Sequence, residues 1–118
     1  MTLKQLLCVR LATRELPPRV RNSIAIEIML LVALSRETCC KLTVKSLFAE
    51  LAYSTMAVRT HFNMLLENGY LNTQSHEHDR RVKYVMITTR GELVVHKYLN
   101  CVSQLIEHYT LETTTFEP

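Results

Sequence analysis

A mainly α domain of the α+β class, carrying one small β-hairpin, is what this chain predicts, on three observations. Apolar residues recur at helical spacing in most segments. Only two glycines and three prolines occur, too few for the turns of an all-β fold. Two alternating runs, "YLNTQ" and "VKYVMIT", flank the polar segment "SHEHDRR", as strands flank a hairpin tip.

Taken in order, Leu3, Leu6, Leu7, Val9 and Leu11 predict a short first helix. It ends before "LPP", because a residue preceding proline is pushed out of the helical region. A second helix is expected from near Pro18 to about Arg36. Its apolar residues, among them Ile24, Ile28, Leu31 and Leu34, nearly encircle it, which places it centrally. "ETCCKL" reads as a loop or a short strand. Thr43 can cap a third helix, "VKSLFAEL", with Leu47, Phe48 and Leu51 inward. After the tight turn "AYS", Ser54 caps a fourth helix reaching Asn68, and Gly69 stands where a left-handed residue ends a helix. Val58, Phe62 and Leu65 form its inner face. The hairpin follows. Thr89 and Glu92 have the spacing of a capping box, so a last helix is expected to start there and run to about Tyr109. The polar tail "TLETTTFEP" is expected to fray. Helix, helix, tight turn, helix and hairpin, in that order, make a winged helix-turn-helix with a two-stranded β wing.

The totals bound the function. With 118 residues, 47% hydrophobic and 21% charged, the chain suits a single domain spanning residues 1–118. A net charge of +3 suits a polyanionic partner without requiring one. Residues 1–35 carry five basic and two acidic side chains, and residues 98–118 carry three acidic and no basic ones. No export signal is visible, and the longest apolar run, "IAIEIMLLVAL", contains Glu27 and is too short to span a bilayer. A cytoplasmic protein with no membrane partner is therefore expected, its four cysteines (Cys8, Cys39, Cys40, Cys101) reduced. No G-x-S-x-G, H-E-x-x-H or glycine-rich phosphate loop occurs. The chain is expected not to be an enzyme, with no catalytic residues, no resident metal and no cofactor.

The fourth helix would be the recognition helix of such a fold, because the DNA major groove admits one α-helix. Thr55, Met56, Arg59, Thr60 and Asn63 are its candidate base contacts, and Ser54 with the helix N-terminus could hold a phosphate. Arg59 could fork onto guanine and Asn63 pair with adenine. An ordinary solvated face is the competing reading. On the hairpin, Asp79 and Arg81 lie two apart, so in an extended segment they point the same way. The carboxylate could then hold the guanidinium extended for a narrow minor groove. Arg80 and Lys83 complete the basic wing, which could equally serve to keep an edge hairpin soluble.

The segment from "LTVKSLFAEL" through "HDRRVKYVMITTRGELVVHKYL" resembles the winged-helix core of the multiple-antibiotic-resistance-regulator (MarR) family. Asp79-Arg80-Arg81 matches the family's D-x-R wing signature, and Ile87-Thr88-Thr89-Arg90-Gly91 matches its L-T-x-x-G at the right spacing, with isoleucine for leucine. "LLENGYL" matches the end of its recognition helix. The resemblance covers roughly residues 24–100. It implies a dimeric, sequence-specific regulator that binds double-stranded DNA, with Arg81 in the minor groove and Asp79 orienting it. Thr60 stands where the family is often basic, so no operator sequence carries over. The chain is shorter than typical members at the terminal helices, and a small-molecule effector stays open.

Assembly as a homodimer is also expected from surplus apolar surface. Val95, Leu99, Val102 and Ile106 form one seam on the last helix, and the first helix adds Leu3 and Leu7. Residues 1–16 and 89–110 are thus the expected dimerisation helices. Three alternatives share the fold. One is a protein-interaction winged helix. Another is a metal sensor using His76 and His78 with Cys39 and Cys40. The third is a redox sensor at Cys8, although that thiol sits among leucines and reads more readily as buried and inert.

Overall fold

The computed structural model describes residues 1–115, with side chains through Thr110. Helix α1 (Leu3–Thr13) opens on a capping box. The Thr2 hydroxyl accepts from the Gln5 amide at 3.1 Å, and the Gln5 side chain accepts from the Thr2 amide at 3.0 Å. The predicted second helix divides. Pro18–Val20 is a separate 3₁₀ turn, and α2 proper is Ser23–Glu37, capped by Asn22. The expected start at Pro18 is therefore corrected. The Asn22 side chain accepts from the Ala25 amide at 2.9 Å, and a residue spent as a cap cannot also lie inside the helix. Ala25, Ile28, Met29 and Val32 of α2 are buried, so this helix is central, as its composition requires.

The cap at Thr43 starts α3 (Val44–Glu50), and Ser54 starts α4 (Thr55–Glu67). Val58, Phe62 and Leu65 point inward. Helix α4 ends in a Schellman motif: Gly69 N–H donates to Leu66 O at 3.1 Å and Tyr70 N–H to Leu65 O at 3.0 Å. Gly69 has φ +77°, the left-handed conformation this motif needs and glycine adopts at least cost.

The expected two-stranded wing is present, and a third short strand, beginning in the segment read as a loop or a short strand, joins its sheet. Strands β1 (Leu42–Thr43), β2 (Leu71–Ser75) and β3 (Lys83–Ile87) lie in the order β1-β3-β2, all antiparallel. Leu42 pairs with Val85, and Leu71 with Ile87. The central strand β3 turns Val85 and Ile87 into the core.

Helix α5 (Thr89–Thr115) is longer than expected. The predicted end at Tyr109 and the fraying of the tail are corrected as far as Thr115; residues 116–118 lie outside the described residues. Its cap is Thr88, one residue before the expected Thr89. The Thr88 hydroxyl accepts from the Gly91 amide at 3.1 Å and turns its one proton to the wing base, where the Gly69 carbonyl at 2.5 Å is nearer than the Tyr70 carbonyl at 3.1 Å. Glu92 instead reaches Arg36 at the end of α2, at 2.7 Å. A Cβ on Gly91 would stand 2.3 Å from the Tyr70 carbonyl oxygen, so only glycine lets α5 approach the wing base this closely. The threonine and glycine of "TTRG" thus serve to dock a helix on a sheet. Helix α1 packs on α5, where the Thr13 and Tyr98 hydroxyls share a hydrogen bond of 2.8 Å.

Candidate nucleic-acid interface

The Ser54 hydroxyl accepts from the Ala57 amide at 3.2 Å and so fixes the first turn of α4. Thr55, Met56, Arg59, Thr60 and Asn63 are all exposed, and Met56 is 80% so. Thr60 turns its hydroxyl back to the Met56 carbonyl at 2.9 Å. Arg59 lies over the Phe48 ring at 5.7 Å, and Phe48 meets Phe62 edge-on at 5.5 Å. This platform under Arg59 is not readable from α4, because Phe48 belongs to the preceding helix. Tyr53, in the turn between α3 and α4, donates to Glu27 Oε1 at 3.1 Å and so ties that turn to α2. Partial burial and the Glu27 carboxylate both raise the Tyr53 phenol above its ordinary range.

At the wing tip Asp79 and Arg81 do pair, but through a turn rather than an extended run. Val82 N–H donates to Asp79 O at 3.1 Å, closing a β-turn. Within it the Arg81 amide donates to Asp79 Oδ1 at 3.0 Å, an Asx turn. The Arg81 side chain then returns to the same carboxylate, Nε to Oδ1 at 3.2 Å and Nη2 to Oδ2 at 3.4 Å. Hydrogen bonds from the Arg81 side chain, then from its amide, hold the Asp79 carboxyl below its ordinary value. The Arg81 side chain nonetheless remains 92% exposed. Arg80 is exposed in the same turn, and Lys83 is exposed at the start of β3. Arg90 lies over the Tyr70 ring at 4.7 Å at the wing base, a pairing that the spacing did not reveal.

Cys39, Cys40, His76 and His78 line one open cleft of about 780 Å³ between the end of α2 and the wing. No group of three or more His, Cys, Asp or Glu among the described residues is placed to hold a metal ion. Cys8 is fully buried. On the terminal helices Leu3 is 88% exposed and Leu99 48%; Leu7 is exposed, and Val102 and Ile106 are half-buried. Val95 departs from the expected seam, because it is buried in the chain's own core with Tyr98. No described helix is long and apolar enough to cross a membrane.

No protein-family model and no curated protein matches the chain. Solved structures do. Transcriptional regulator Tm0710 from Thermotoga maritima superposes with a TM-score of 0.65 at 19% identity, over 91% of this chain and 73% of that one. YusO from Bacillus subtilis gives a TM-score of 0.57 at 16% identity, over 90% and 67%. A mutant MarR from E. coli complexed with operator DNA gives 0.53 at 20% identity, over 69% and 58%. The chain therefore has the winged-helix fold found in MarR-type transcription regulators.

Proposed function

We infer that this chain is a dimeric, sequence-specific DNA-binding transcriptional regulator of MarR type. The observation that carries the reading is the Asp79–Arg81 pair, a guanidinium held in place by a turn yet almost wholly exposed. A side chain already held in one geometry loses little further freedom on entering a groove. The exposed face of α4 supplies the matching major-groove surface, with Arg59 braced on Phe48 and Asn63 beside it. The MarR relative of the same fold is complexed with operator DNA, which supports the same partner here. A protein-interaction module would need an apolar patch on this face, whereas among the five α4 candidates only Met56 is apolar.

The test begins with duplexes selected from a random pool. Arg81→Ala is expected to weaken binding and to flatten the slope of log K against log salt by about one unit or less. Arg59→Ala is expected to relax base preference, at about 1–3 kcal/mol for a bidentate contact. Unchanged affinity and preference in both variants would overturn the reading.

A further inference from the structure

Helix α2 ends in the same motif as α4. Cys39 N–H donates to Arg36 O at 3.2 Å and Cys40 N–H to Ser35 O at 3.0 Å, which is the Schellman pattern. At the left-handed position α4 has Gly69, whereas α2 has Cys39, at φ +56°. The chain thus keeps a thiol where a side chain is least welcome and follows it with a second. Both thiols are exposed, and both open on the cleft of about 780 Å³. That volume is typical of small-molecule sites, which span about 300–1,000 Å³. Val32, Val85 and Ile87 lie buried beneath the cleft, Leu42, Tyr84 and Met86 give it apolar surface, and His76 and His78 face it from the wing.

We propose that Cys39 and Cys40 form a dithiol site for a trivalent arsenical bearing an apolar organic group. Adjacent Cα atoms are about 3.8 Å apart, short of the roughly 4.4–6.8 Å that disulfides prefer. Closure into their own disulfide is therefore strained, whereas one arsenic atom between the sulfurs lengthens the bridge and relieves the strain. The condensation balances without any oxidant. Two As–S bonds form and two As–OH bonds break. The two thiol protons leave with the two hydroxyls as water, and arsenic remains trivalent. The organic group lies on Leu42, Tyr84 and Met86. Because the cleft spans α2 and the wing, occupancy joins the helical body to strands β2 and β3.

The experiment uses the full reduced chain and phenylarsine oxide, read by intact mass and thiol titration, without DNA. One adduct per chain, with loss of two titratable thiols and reversal by 2,3-dimercaptopropanol, is expected. Cys39→Gly, which suits the backbone there and keeps the fold, should abolish the adduct, as should Cys40→Ser. The Cys8→Ser, Cys101→Ser double variant should retain it. The folded chain should also hold phenylarsine roughly tenfold or more tighter than a peptide spanning residues 36–43, because only the fold supplies the apolar wall. No adduct on the parent, or an adduct that survives Cys39→Gly with Cys40→Ser, would overturn the site. Equal affinity for the peptide would overturn the role of the cleft.

Discussion

Arg81 gives the Asp79 carboxylate three hydrogen bonds, two from its side chain and one from its amide. All three favour the ionised acid, so Asp79 is expected to titrate below the ordinary value of 3.8. The sign follows by linkage. A carboxyl with a depressed folded pKa contributes order that is complete above its unfolded value and is lost as pH falls through the folded one. The turn should therefore persist through neutral and mildly acid pH and loosen only in stronger acid. Carbon-detected NMR titration of Asp79, compared between the parent and Arg81→Ala, checks this. The variant should titrate higher, and coincident curves would deny the pairing. The spacing of Asp79 and Arg81 revealed that they meet. It could not reveal how, because two residues apart suits an extended strand and an Asx turn alike. Burial was legible for the inner face of α4 and misread for Val95, since a stripe on a helix does not say which neighbour covers it.

Among elements, caps were the most legible feature, because a hydroxyl or amide side chain before an apolar run has one economical use. Thr43, Ser54 and Gly69 serve as their positions suggest. Helix α5 starts at Thr89 as expected, but its cap was misread by one residue, because "TTRGE" offers two threonines and the attractive Glu92 favours the wrong one. Thr88→Ala should therefore cost about 1 kcal/mol, within a range of roughly 0.5–2. Thr89→Ala should stay within about 0.5 kcal/mol of the parent. Urea unfolding midpoints at constant slope decide between them, and equal effects would remove the assignment. The strand β1 escaped firm prediction for a different reason: two residues are too few to show alternation. Only its pairing with β3 defines it, and that contact is long-range.

At the scale of the whole molecule, the terminal helices retain apolar surface after packing on one another. Leu3, Leu6, Leu7 and Leu99 remain exposed although α1 covers part of α5. The proposed dimer would bury them and present two copies of α4 about 34 Å apart, one turn of DNA. Light scattering should show a dimer for the parent at tens of micromolar and a monomer for Leu99→Glu combined with Ile106→Glu. A monomeric parent would refute the assembly. A monomeric variant with undiminished binding to the full site would instead separate assembly from recognition. The docking of α5 adds a mechanical consequence. Its 27 residues make a rod of about 40 Å. One end is clamped to the wing base by the Thr88 hydrogen bonds and by the absence of a side chain at Gly91. A rigid rod converts angle into distance, so pivoting it by about 5° about one end would displace the other, about 40 Å away, by about 3.5 Å. Contacts made far along the rod would in that way bear on the base of the wing.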